Sequence, residues 1–330
     1  MDSIQKTLDC YNADEIPMVS ILAITYNHEK WIARALDSFV SQKTNFKFEI
    51  LVHDDASTDS TPDIIREYVR LYPDLIRPIF QVKNQYSVGN IPHLFVTEMA
   101  KGNYLAFCEC DDFWNDPYKL QKQVDLLEAY PECSMCVAYT ETIDLIEGEE
   151  ILRGVSGAEY PNRDLNFDDI FTLMPSLSTY LLRAECFNKA KKWFGNIVFL
   201  DKTLLFIMAD IGPIKVLPEV VSAHLNQDSG VWTSLNARKK HYFLISVYEE
   251  LCSKYKQEHR HKFAKQLVYW YIESQYYENG CVKKLISLST GLLRTAQLTI
   301  KYSIYRDTYS ININWMRKWY RSLLSKLRRH

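Results

Sequence analysis

MVSILAITY (18–26), NHEKWIARALDSFVSQ (27–42) and FEILVHDD (48–55) follow one another with little between them. The first is a nearly continuous apolar run, the pattern of a strand covered on both faces. In the second, Ile32, Ala35, Leu36, Phe39 and Val40 recur at helical spacing. The third is a strand that ends in acids. Beyond it, Ser60 or Thr61 caps a helix with Pro62 near its first position and Ile64, Ile65, Tyr68, Val69 and Tyr72 on one face. IRPIFQV (76–82) is a third strand, held to an edge or a bulge by Pro78. A helix over about 90–101 stops at Gly102, NYLAFCE (103–109) is a fourth strand, and Asp116-Pro117 opens another helix. Strand–helix alternation of this kind predicts a parallel sheet with right-handed crossovers and helices on both faces.

Ligands of such sheets bind beyond the carboxyl ends of the strands. Three strands here end in polar clusters: Thr25-Tyr26-Asn27, Asp54-Asp55 and Glu109-Cys110-Asp111-Asp112. Adjacent strands would bring them to one edge. Neither G-x-x-x-x-G-K-[ST] nor G-x-G-x-x-G occurs, so a phosphate ligand would need another positive partner. Glu109-x-Asp111-Asp112 supplies carboxylates of the kind that hold a hard divalent cation together with ligand phosphates. The same acids could equally cap the helix at Asp116.

Further along, 141–170 is irregular and reads as a long loop, and SLSTYLLR (176–183) alternates like a strand. Asp201 opens a helical stretch that ends at Gly212, IKVLPEVV (214–221) is a strand, and the chain beyond about 233 is helical in character.

The 330 residues are 47% hydrophobic and 24% charged, which excludes wholesale disorder, and ten Gly and eleven Pro exclude low-complexity classes. No apolar run reaches the ~18 residues of a membrane span. MDSIQKTLDCYNADEIP has no basic or apolar export region, so no secretory signal is expected, and the eight cysteines read as reduced thiols. Cys133-x2-Cys136 has zinc-like spacing without a second pair and reads as core packing.

The net charge of −2 is unevenly distributed: residues 281–330 carry eleven Lys/Arg against Asp307 alone. Within 310–330, Trp315, Trp319, Leu323 and Leu327 recur at helical spacing, with Lys318, Arg321 and Arg328 on the other side. This basic amphipathic stripe suits a membrane surface; packing on the body or on a second copy is the competing use, and nucleic acid is not expected.

VSILAITYNHEKWIARALDSFVSQ, FEILVHDDASTDSTPDIIREY and KGNYLAFCECDDFWNDPYKLQKQVDLLE, in that order, resemble the family 2 glycosyltransferases of bacterial surface-polysaccharide clusters. The resemblance is clear over about 17–135 and weaker to about 232. It implies the α/β GT-A nucleotide-diphospho-sugar transferase fold, a mostly parallel central sheet flanked by helices, with a C-terminal helical extension. Its catalytic domain would span 1–232 (nucleotide half about 17–135, acceptor half about 136–232), leaving 233–330 as a helical region.

By similarity, Thr25, Tyr26 and Asn27 line the nucleotide pocket, with Tyr26 against the base and Glu29 at the helix start beside it. Asp54 accepts from the base and Asp55 supports the turn. Asp111 binds Mn2+ or Mg2+, Glu109 or Cys110 sits near the ribose or the metal, and Asp112 faces the donor sugar. Asp201 is the general base, with Glu141 and Asp210 as fallback carboxylates. Gln227 stands where relatives often carry a histidine near the metal, and His224 reads as an ordinary packed or surface histidine. Trp114 is open between a sugar platform and a core residue. Pro175–Ser178 would shape the acceptor side.

The implied reaction is inverting, single-displacement transfer from a nucleotide-sugar donor, UDP-linked by preference, to a glycan or lipid-linked acceptor. The implied place is the cytoplasm, at the inner face of the membrane. A catalytically degenerate sugar-binding or scaffold protein is the alternative. A nucleotidyltransferase would need a glycine-rich loop within 24–34, which has no glycine.

Overall fold

The computed structural model describes residues 16–191, 200–226, 236–255, 259–260, 262–267 and 269–270. The tail at 310–330 and Gln227 lie outside them. The chain divides into two compact units, Met1–Thr233 and Ser234–His330.

The first unit opens as the apolar runs dictate. Strands β1 (Val19–Thr25), β2 (Phe48–Asp54), β3 (Ile76–Phe80) and β4 (Tyr104–Glu109) lie side by side in the order β3-β2-β1-β4, all parallel. Each residue of β1 and β2 is buried, as double coverage requires. Pro78 sits in β3, the edge strand, where a missing N–H costs no ladder bond. Helices α1 (Ile32–Val40) and α2 (Thr61–Leu71) pack their stripes on the face formed by Val19, Ile21, Ala23, Phe48, Ile50 and Val52. Helix α3 (Pro92–Met99) joins β3 to β4.

The second half of the sheet is mixed. After β5 (Phe113–Trp114) and α4 (Lys119–Ala129) come β6 (Met135–Ile146) and β7 (Glu149–Ser156). Strand β8 (Leu181–Arg183), helices α5 (Ala184–Ala190) and α6 (Leu200–Ile211) and strand β9 (Ile214–Asn226) follow. The order continues β4-β8-β6-β9-β5, with β8 antiparallel to both neighbours and β6 parallel to β9. Strand β7 pairs with β6 alone.

The segment expected as a loop over 141–170 is largely this β6–β7 hairpin. Glu147 (φ 53°) and Gly148 (φ 88°) form its two-residue turn, the left-handed pair that hairpins favour. The 176–183 segment forms a strand only at its end, since Leu177–Thr179 is a 3-10 turn. Helix α6 ends at Gly212, where a Cβ would meet the Glu132 carbonyl oxygen at 2.5 Å. Cys133 and Cys136 are buried free thiols in the core.

In the second unit, helix α7 (Ala237–Lys254) is capped by Asn236, whose side chain accepts from the Lys239 N–H at 2.9 Å. Tyr248, Leu251, Tyr255, Phe263 and Leu267 are buried there. No helix among the described residues is long and apolar enough to cross a membrane.

Candidate active site at the strand ends

The loops that leave β1 and β2 are sewn together. Asn27, at φ 55°, accepts the Thr58 N–H on Oδ1 at 2.8 Å and donates its own N–H to Ser57 Oγ at 2.8 Å. Two residues on, Glu29 N–H donates to Asp59 Oδ2 at 3.1 Å while Glu29 Oε2 accepts from Ser60 N–H at 3.0 Å. Asn27 and Glu29, expected at the nucleotide, thus have these groups engaged in holding the two loops in register. Tyr26, immediately before them, stays 43% exposed.

Beneath the seam lie Thr25 and Asp54, paired across β1 and β2 and both buried. Asp54 Oδ2 accepts from Ser57 N–H at 3.3 Å, while Asp54 Oδ1 and Thr25 Oγ1 have no partner among the described residues. Burial, the largest influence, holds the Asp54 carboxyl above its usual range. Orphaned buried polar atoms are rare and call for a partner from outside. Asp55 differs. Its two oxygens accept the N–H groups of Gln85 (2.7 Å) and Tyr86 (3.0 Å), so it ties down the loop after β3 and not its own turn.

At the end of β4, alternation sends neighbouring side chains in opposite directions. Glu109 is exposed, and Cys110 is fully buried in the core. The Cys110 thiol therefore does not line the ribose, and burial raises it well above its ordinary value. Asp111 is half-buried, with His28 Nε2 3.8 Å from its Oδ2. Asp112 is buried and turned back into the protein: Oδ1 takes His224 Nδ1 at 2.9 Å and the Leu225 N–H at 3.1 Å.

His224 is the main site residue that sequence reasoning set aside. Its place follows from register: Phe113 pairs with Ala223 across β5 and β9, which sets Asp112 beside His224. That pairing joins residues more than a hundred apart, and no local pattern announces it. The Asp112 carboxylate pushes the imidazole up to about 9, so it is a cation at neutral pH.

Asp201, in the first turn of α6, lies within reach of the charges of Asp112, His224 and Glu109. Desolvation pushes its carboxyl up to about 6; its own backbone N–H and His224 pull down and Asp112 pushes up. Glu109 keeps an exposed edge, yet its carboxyl is held well above the usual range. Desolvation comes first, then repulsion from Asp111, Asp201 and Asp112. Of the fallback carboxylates, Glu141 accepts from Asn115 Nδ2 at 3.0 Å, and Asp210 is exposed at the far end of α6.

Four carboxylates thus lie within electrostatic reach of one another, with His28 beside Asp111 and His224 beside Asp112. No ready-made set of three metal ligands exists among the described residues. The donor chemistry nevertheless fits a hard divalent cation, which takes one or two protein carboxylates and fills its shell with phosphate and water.

Trp114 resolves as a core residue. Its indole N–H donates to the Ser178 carbonyl at 2.9 Å, and the buried Lys119 ammonium lies 4.2 Å over its ring. Through Trp114 and the Ser178–Ser222–Thr140 hydroxyl chain, the turn after Pro175 is fixed against β6 and β9.

The family model described as Glycosyl transferase family 2 matches residues 20–185. An uncharacterized protein of Mycobacterium tuberculosis is 34% identical over 231 residues, covering 68% of this chain and 63% of its own length. The chain therefore spans less than two thirds of that relative. Among solved structures, TarS 1-349 of S. aureus in complex with UDP-GlcNAc shares the fold at TM-score 0.61 and 18% identity, covering 85% of this chain and 81% of TarS 1-349. The mannosyltransferase PcManGT of Pyrobaculum calidifontis, in complex with GDP-Man and Mn2+, gives 0.55 and 15%, covering 91% and 89%.

Proposed function

The chain belongs to glycosyl transferase family 2, and on that premise we propose that it moves a sugar from a nucleoside-diphosphate donor to a glycan or lipid-linked acceptor in surface-polysaccharide synthesis. The donor is a UDP-sugar first, as in the TarS complex. The catalytic domain is the portion to about residue 232. The basic stretch 281–330 would meet the inner face of the membrane, where such acceptors are assembled.

The observation that carries this reading is the grouping of Glu109, Asp111, Asp112, Asp201 and His224 within electrostatic reach of one another, together with Thr25 Oγ1 and Asp54 Oδ1, buried without a partner among the described residues. Asp54 accepts a hydrogen bond from the base, which Tyr26 covers. Asp111 would hold Mn2+ or Mg2+, which when bound offsets the charge growing on the departing diphosphate. Asp112 keeps His224 oriented and cationic at the same cleft. Asp201 removes the proton from the acceptor hydroxyl as it attacks the anomeric carbon on the face away from the diphosphate. A carboxyl near 6 is mostly ionised at pH 7 and is a stronger base than an ordinary aspartate.

The test is release of nucleoside diphosphate from a panel of UDP- and GDP-sugars with and without Mn2+. Metal-dependent turnover of at least one donor, abolished by Asp111→Asn, is expected. A folded protein that neither binds nor turns over any of them would leave only a sugar-binding or scaffold role.

A further inference from the structure

Strand β5 is two residues long and meets β9 in two pairs, Phe113 with Ala223 and Trp114 with Ser222. The contact of Asp112 with His224 hangs on that short pairing. Helix α1 steadies it. The apolar residues of α1 join the sheet core, while Arg34 and Ser38, with Gln42 just past the helix end, recur every four residues as a second, polar stripe. That stripe follows the chain from 113 to 120. The Arg34 guanidinium carbon lies 3.5 Å from the centre of the Phe113 ring. Ser38 Oγ accepts the Trp114 N–H at 3.1 Å and donates to the Ala35 carbonyl at 2.7 Å. Gln42 donates from Nε2 to the Asp116 carbonyl at 2.9 Å and accepts the Leu120 N–H on Oε1 at 3.1 Å. Ser38 and Gln42 are buried. Buried polar groups satisfied in this way admit one register between helix and segment, where apolar contacts alone would tolerate a slip.

We propose that Arg34 is a positioning residue of the transfer reaction: seated on Phe113, it fixes the Asp112–His224 pair relative to the loop after β1. This rests on the glycosyltransferase reading and deepens it. Arg34 is the member of the stripe nearest the acids, since Phe113 directly follows Asp112. At its other end α1 starts from the β1 loop, where the N–H groups of Trp31 and Ile32 both donate to the His28 carbonyl at 2.9 Å. Trp31 packs on the same Phe113 cluster. Arg34 therefore joins the helix that leaves one strand end to the strand that orders His224. Its outer side pairs with Glu150 of β7, both side chains being well exposed, and such pairs contribute little. The cation over the buried Phe113 ring is the stronger contact. In this scheme Arg34 touches no substrate and acts through Phe113.

The test is steady-state kinetics of the full chain with Mn2+ and each UDP- or GDP-sugar that wild type turns over, alongside thermal unfolding. Arg34→Leu keeps an apolar cover on the ring and drops the charge. It should lower kcat about tenfold, the cost of a small misplacement at the reacting groups, with donor KM within about twofold and the melting temperature unchanged. Arg34→Lys returns a cation to the ring and should recover most of the loss. Glu150→Gln is the control and should alter none of the three. An unchanged kcat in Arg34→Leu, or a loss that Glu150→Gln reproduces, would overturn the inference while the glycosyltransferase reading stands. A loss that merely tracks the melting temperature would overturn it too, since Arg34 would then be a brace of the fold. No turnover of any donor by wild type would overturn both.

Discussion

The two halves of the sheet are built on different logic. In β3-β2-β1-β4, every strand is parallel and the polar clusters stand at or just past the carboxyl ends of β1, β2 and β4. In β8-β6-β9-β5, strand directions are mixed, and contacts join residues far apart, such as Asp112 with His224 and Trp114 with Ser178. The first half positions groups through local geometry and the second through register. The proposed donor pocket, written in short segments, is therefore joined to a proposed catalytic wall that exists only once the whole sheet has formed.

The sharpest way to break that division is at Asp201. Asp201→Asn should lower kcat by about 10²- to 10⁴-fold, the usual worth of a general base, with donor affinity unchanged. Asp111→Asn should lower both. If Asp201→Asn weakened donor binding as much as turnover, the two halves would not divide the labour as described. Next in size is acidity. Because the Asp201 carboxyl sits at about 6, above an ordinary aspartate, its basic form is lost as pH falls through 6. The kcat/KM–pH profile should fall about tenfold per unit on the acid side and be restored above it.

His224→Ala removes the partner of Asp112 from the register-dependent half. A drop of about tenfold or more in kcat/KM is expected, with melting temperature less affected than activity. Asn27→Ala tests the local half from the other direction. It removes the Asn27 Oδ1 bond from the loop seam and should cost about 1–2 kcal/mol of stability in denaturant titration, with a smaller change in kcat. A large change in donor KM at unchanged stability would make Asn27 a ligand contact in place of a fastener. The smallest effect is at the hairpin turn. Gly148→Ala, at φ 88°, should cost about 1 kcal/mol by thermal unfolding and leave transfer intact.

These differences also explain what was legible in the sequence. The apolar runs, helix spacings and acid-tipped strands read directly, because burial on both faces leaves continuous hydrophobic segments. The hairpin at 135–156 did not, because β7 is solvent-exposed and its charges mask the alternation. Its one local signal was Glu147-Gly148, a dipeptide suited to a two-residue turn. Cys110 could have been assigned to the core by counting the alternation of β4 past Cys108. His224 had no such clue, since its position depends on the pairing of β5 with β9. The commitments of Asn27, Glu29 and Asp55 to neighbouring loops were hidden for the same reason.

Among the described residues, strand β7 leaves one row of backbone donors and acceptors unpaired along the sheet border, next to the half-exposed Ile151, Leu152 and Val155. Such a border can template cross-chain stacking and aggregation. Its pairing with β6 skips Arg153, an irregularity that kinks the strand between Leu152 and Gly154, and Glu149 and Glu150 stand at its turn end. The charges and the kink act as gatekeepers: they keep concentrated protein dispersed without any contribution to chemistry, and that burden restricts which residues this strand can carry.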